Sequence, residues 1–149
     1  MTYRSIFRPH LFASRSIIVT GGGSGIGRRT ALELAALGAR VALVGRTPEK
    51  LDKVRSEIGG AATTHVCDIR DEGRVQETVA AILATHGRID GLVNNAGGQY
   101  PAPLASITAK GWDAVVRNNL TGGFLMAREC YTQAMAQHGG AIVNIIADM

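Results

Sequence analysis

"TGGGSGIG", Thr20 to Gly27, decides how this chain folds. Before it stands the short β-rich run "SIIVT" (Ser16 to Thr20). After it comes "GRRTALELAALG", with apolar residues at helical spacing and Gly38 expected as the C-cap. A strand, a glycine-rich turn and a helix N-terminus in succession make a place for an anion, because free amide N–H groups and the helix dipole meet there. Gly21 is expected to allow the tight turn, Gly25 to let backbone approach a pyrophosphate, and Gly27 to permit close helix–strand packing. An ordinary tight turn could use the same glycines. The strand–turn–helix setting favours the nucleotide reading.

Outward from that turn the elements alternate. "RVALVG" (40–45) reads as a second strand, and "TPEKLDKVRSEIGG" opens a helix with Thr47 as N-cap and Pro48 at the first helical position. "TTHVCDI" is a third strand and "DEGRVQETVAAILATHG" an amphipathic helix with acids in its first turn. "IDGLVNNAG" is a fourth strand. A long helix is expected from about Lys110 to Gln137, with Trp112 anchoring its start in the core, before a fifth strand, "AIVNII". The strands are too continuously apolar for one-sided burial, so the pattern implies a parallel sheet with helices on both faces. Right-handed crossovers put the first two helices on one face and the later two on the other. The expected class is α/β, a Rossmann-type doubly wound sheet of order 3-2-1-4-5.

With 149 residues, 46% hydrophobic and 19% charged, the chain has the material for one folded domain and too little for two. No apolar run approaches the roughly 20 residues that span a bilayer. The basic start "MTYRSIFRPHLFASRS" lacks a long apolar segment and a cleavage site, so no signal peptide is read, although a weak transit sequence stays open. Cys67 and Cys130 make no disulfide framework and read as small buried hydrophobes in a reducing, cytoplasmic protein. The net charge of +4 is scattered among acids, without the clustered basic face that nucleic-acid binding needs. His65, His86 and His138 have no metal-ligand spacing.

The turn is G-x-x-x-G-x-G, "NNAG" (Asn94 to Gly97) follows the fourth strand, and "NLTG" (Asn119 to Gly122) lies in the long helix. In this order and spacing the three motifs resemble the short-chain dehydrogenase/reductase family, over essentially the whole chain. "NNAGGQY", "SITAKGWDAVVRNNLTG" and "HGGAIVNII" are most similar to trans-2-enoyl-CoA reductases of the peroxisomal type and their bacterial relatives. The resemblance implies an oxidoreductase with a nicotinamide cofactor held by Gly21, Ser24, Gly25, Ile26 and Gly27, with Ile69 beside the adenine. It implies that Asp68 accepts a hydrogen bond from the adenine amino group, or caps the helix before Asp71 and Glu72. Asn94 would tie the sheet together, while Asn95, Ala96 and Gly97 pass the adenosine ribose. Asn119 would hold a water in a proton relay to a catalytic lysine; a packing kink is the plainer reading of an asparagine in mid-helix.

Cofactor choice turns on "VGRTPEK". An NAD site carries an acid about 20 residues beyond the glycines. Here Gly45 stands at that position and Arg46 follows, and a guanidinium binds a 2′-phosphate that a carboxylate would repel. Ser24 occupies the other position where the family often places a basic residue, so the case for NADP (as NADPH) rests mainly on Arg46.

In the family the fifth strand ends in a serine, and a Tyr-x-x-x-Lys motif follows. Aligning "VNII" puts Ala147 at the serine position, and the tyrosine and lysine would lie past Met149. The expectation is therefore an incomplete dinucleotide-binding domain over 1–149, inactive alone, from an NADP-dependent reductase of 2-enoyl thioesters. A carbonyl or alcohol reductase of the same family and a non-catalytic nucleotide-binding module are the alternatives. The expected partners are a small-molecule substrate and, for the whole protein, further copies of itself through the long helix, with neither nucleic acid nor membrane.

Overall fold

In the computed structural model, which describes residues 6–146, five strands pair in parallel in the order β3-β2-β1-β4-β5. The strands are β1 (Ser16–Thr20), β2 (Arg40–Gly45), β3 (Ala62–Val66), β4 (Gly91–Asn94) and β5 (Ala141–Asn144). β1 is central, with Ile18 opposite Ala42 of β2 and Leu92 of β4. The order is the one expected from the alternation of elements. β3 ends one residue before Cys67, shorter than its apolar run suggests.

Side chains alternate across the pleat, so each strand feeds two cores. Ile17, Val19, Val41 and Leu43 pack under α1 (Gly25–Ala36) and α2 (Pro48–Ile58), through Ala31, Leu51 and Val54. Ile18, Ala42, Val44 and Leu92 face the other way, toward Val75, Val79 and Ile82 of α3 (Glu72–His86) and toward the long helix. Both free cysteines are buried, and burial pushes the Cys130 thiol up to about 12.

The long helix is one helical path in pieces: α4 (Ala109–Val116), a π turn (Arg117–Thr121), α5 (Gly122–Cys130), a second π turn (Tyr131–Met135) and α6 (Ala136–His138). Each π turn contains a side chain that donates to the carbonyl four residues back. Asn119 Nδ2 lies 2.9 Å from the Val115 oxygen, and Thr132 Oγ1 lies 3.0 Å from that of Arg128. These donors occupy the acceptors that the α-helical ladder would use, which widens the backbone locally.

Two expectations are corrected. Trp112 is 62% exposed and anchors no core. The inward position is Gly111, where a Cβ would stand 2.7 Å from the Tyr100 ring, and the next residue is turned about 100° away. Nor does Asp68 cap α3. Asp71 does so, its Oδ1 accepting from the Arg74 amide at 3.0 Å.

At the amino end of the sheet two buried polar groups fix the strand starts. The Asp90 carboxylate accepts from the Ser16 amide at 2.9 Å and pairs with Arg15 and Arg88. Burial works to raise its pKa, but these donors outweigh it and hold the group at about 2. His86 is buried, with Nδ1 2.7 Å from Ser16 Oγ and Nε2 2.9 Å from Thr63 Oγ1. Burial first, and the Arg40 charge second, bring its pKa down from 6.5 to about 4. As pH falls, the unfolded chain therefore takes up this proton before the folded one. The stabilising contribution is complete above about 6.5 and is lost as pH drops toward about 4, on the order of 3 kcal/mol in all. Denaturant midpoints measured from pH 7 to pH 4 should fall accordingly. In His86→Phe the protein should be weaker throughout, but that slope should be largely flattened.

Candidate functional site

At the carboxyl edge of the sheet the ends of β1, β2 and β4 enclose a cleft of about 500 Å³. Its floor is the turn between β1 and α1. Gly21 (φ +66°) and Gly25 (φ +52°) both adopt the left-handed conformation that glycine takes without strain. A Cβ at Gly25 would meet nothing within 4 Å, so a ligand has room to approach the backbone there. Gly27 is the opposite case. A Cβ at this position would collide with the Gly21 carbonyl oxygen and lie 2.5 Å from Asn95 Nδ2.

The N-terminus of α1 is kept open. Ser24 occupies its N-cap but makes no side-chain cap bond, and the first turn contains no acid, whereas α2 and α3 carry Glu49 and Glu72 there. Amide donors and the positive end of the dipole are thus left available to an anion. Together with the open space at Gly25, this fits a pyrophosphate. The cleft suits a dinucleotide.

The β4 end is built by Thr20, whose importance the sequence reading missed. Its buried hydroxyl accepts from the amides of Asn95 and Ala96, both at 2.9 Å, and donates to the Val93 oxygen at 3.3 Å. Asn95 Nδ2 donates to the Thr20 carbonyl at 2.9 Å, while Asn94 Nδ2 reaches Asn144 Oδ1 and the Gly123 oxygen, each at 3.0 Å. A β-hydroxyl directly before the glycines was the available signal.

At the other end Arg46 follows β2, and Asp68 and Ile69 follow β3. Asp68 is held by Arg70, with Nη2–Oδ2 at 2.5 Å and Nε within 2.8 and 3.1 Å of the two oxygens. Those hydrogen bonds hold its pKa at about 2. Of the residues read as cofactor-binding, Gly21, Ser24, Gly25, Ile26, Arg46, Asp68, Ile69, Asn95, Ala96 and Gly97 all line this one cleft. Gly27 lies behind the turn and shapes it. Asn119 is not among the lining residues, but its neighbour Asn118 is. The Asn119 amide grips Gly98 from both sides, Nδ2 donating to its oxygen at 2.7 Å and Oδ1 accepting from its N–H at 3.2 Å. Lys50 also lines the cleft and was not singled out in the sequence.

Among the described residues no group of three or more His, Cys, Asp or Glu side chains could hold a metal ion, and no helix is long and apolar enough to cross a membrane. Ala147, at the position aligned with a serine, lies outside the described residues.

The two glycines should separate experimentally. Gly27→Ala should cost several kcal/mol, because its methyl meets backbone, and the protein should unfold or melt far lower. Gly25→Ala meets only open space and a left-handed φ, so about 1 kcal/mol is expected, with the larger effect on nucleotide binding. Thermal melts beside fluorescence titration with a nicotinamide nucleotide would check both.

Comparison with known proteins agrees with this geometry. The family description "short chain dehydrogenase" matches residues 15–148. A solved structure of citronellol catabolism dehydrogenase (AtuB) from Pseudomonas aeruginosa PAO1 superimposes with a TM-score of 0.94 at 61% identity, covering 99% of this chain and 62% of that one. D-threitol dehydrogenase of Mycolicibacterium smegmatis is 38% identical over 131 residues, 86% of this chain and 50% of its own length. The peroxisomal 2,4-dienoyl-CoA reductase of Danio rerio is 32% identical over 151 residues, 99% of this chain and 50% of its own length. The chain thus spans about half the length of the curated relatives it matches. It belongs to the short chain dehydrogenase family, oxidoreductases that use NAD(P).

Proposed function

We propose that the cleft binds NADP(H) and that the whole protein uses it to reduce a small organic substrate. Arg46 carries this reading. It stands at the end of β2 where its charge faces the cleft, and among the described residues it enters no ion pair. The preceding position has little room for an acid, since a Cβ on Gly45 would lie 3.2 Å from Leu51 Cδ2. A guanidinium without a competing carboxylate favours a phosphorylated ribose over a free hydroxyl. When bound, the nicotinamide supplies the hydride.

For the substrate we favour a conjugated 2-enoyl-CoA thioester, on the likeness to the 2,4-dienoyl-CoA reductase over 99% of this chain. Reduction would add hydride at C3 and a proton at C2. The developing negative charge then falls on the thioester oxygen, where hydrogen-bond donors must meet it. A second reading, an alcohol or carbonyl oxidoreductase, has its own support in the 61% identity to the citronellol catabolism dehydrogenase. Asn119 we assign as the positioning residue for a proton-relay water; its grip on Gly98 and the π turn around it support a role beyond packing.

Leu120, Phe124 and Tyr131 are exposed on the long helix, and this apolar surface supports pairing with a second copy. The buried free cysteines and the lack of a membrane-crossing helix among the described residues support a cytoplasmic protein.

In the full-length protein, fluorescence titration should show NADPH preferred to NADH by roughly tenfold to a hundredfold. Arg46→Asp should abolish or reverse that preference, and equal wild-type affinities would sink the assignment. With a 2-enoyl-CoA and a matched ketone as substrates, NADPH should be oxidised with the thioester; turnover of the ketone alone would transfer the reading to the carbonyl class. Asn119→Ala should lower kcat more than it changes the NADPH Kd or the substrate KM.

A further inference from the structure

The cleft has two places where negative charge is favoured, and the second is built by more than Arg46. Arg46, Lys50 and Asp68 are the charged side chains of its lining. The carboxylate of Asp68 is already met by Arg70. Arg46 and Lys50 form no ion pair among the described residues, so two positive charges stand uncompensated at one end of the cleft.

Their placement is fixed by backbone. Lys50 lies in the first turn of α2, four residues beyond Arg46, and Thr47 between them is the N-cap, with a hydroxyl that makes no cap bond. The glycine-rich turn rests directly on the stem of this lysine. A Cβ at Gly23 would stand 3.0 Å from Lys50 Cβ and 3.3 Å from its carbonyl carbon. The turn itself, residues 21 to 25, contains only glycines and Ser24 and so contributes no cation. A pyrophosphate at the α1 N-terminus accounts for the first anion. A second anion of nearly two charges is needed to match Arg46 and Lys50, and a phosphomonoester carries that charge where a ribose hydroxyl carries none.

We propose that Lys50 is a second determinant of cofactor choice, its ammonium closing with the Arg46 guanidinium and the Thr47 hydroxyl on the 2′-phosphate of NADP(H). This rests on the NADP reading above. It adds that the cation opposite Arg46 comes from α2 and not from the glycine-rich turn. Arg46 supplies a planar fork and Lys50 a compact point charge, so the two can approach one phosphate from different sides.

The test uses the full-length protein, with NADPH, NADH, 2′,5′-ADP and 5′-AMP as titrants. Lys50→Gln should weaken NADPH and 2′,5′-ADP by about tenfold, leave NADH and 5′-AMP within about twofold, and lessen the salt dependence of NADPH binding. Lys50→Arg should keep most of the affinity. Because Lys50 is exposed, the melting temperature should stay close to wild type, which separates a binding effect from a folding one. If wild type prefers NADPH and Lys50→Gln does not alter that preference, the lysine's role is overturned and the Arg46 reading survives. If wild type shows no preference, both fall.

Discussion

The site depends on how near α1 can come to β1. At Gly27 the helix backbone sits against the Gly21 carbonyl and the Asn95 amide so closely that even a methyl group would be excluded. That approach aims the first amides of α1 across the turn and into the cleft. It also brings the ends of β1 and β4 within reach of one hydroxyl, so that Thr20 takes the N–H groups of both Asn95 and Ala96. One missing side chain therefore sets the helix, the turn and the opposite wall together.

Charge is distributed to suit. Acids stand in the first turns of α2 and α3, where they offset the local dipole, and are absent from α1, where the dipole is left for a ligand. The two carboxylates held at about 2 lie at opposite edges of the sheet. Asp90 secures the starts of the strands, while Asp68 is kept by Arg70 at the rim of the cleft. The amino edge is closed by neutral, buried groups around His86, and the carboxyl edge keeps cations free.

How far this could be read from residues alone follows from the range of the interactions. The strands, their order and the α1 turn were legible because alternation, periodicity and glycine spacing are local signals, and parallel pairing follows from connectivity. So was the gathering of Arg46, Asp68 and Asn95 at one edge, since the carboxyl ends of parallel strands share it. Trp112 was misplaced because its direction depends on a non-local contact, the Tyr100 ring lying on Gly111. Lys50 went unnoticed for a similar reason: a lysine in a first helical turn reads as a solvated side chain until the glycine-rich turn is seen resting on it. The capping of α3 had two acidic candidates three residues apart, and only geometry chose Asp71.

The two π turns bear on how this sequence can vary through time. Each holds one residue more than an α-helical path of the same span would need, and each downstream segment takes its rotational phase from that surplus. Removing a single residue near Asn119 would turn everything after it by about 100°. Leu125 and Met126 would swing away from β4's face of the sheet, and Phe124 would be driven toward it. Substitutions can accumulate along this helix, but its length is effectively frozen. In any alignment of its descendants, gaps should fall in the loop before Ala109 or after His138, and not between them.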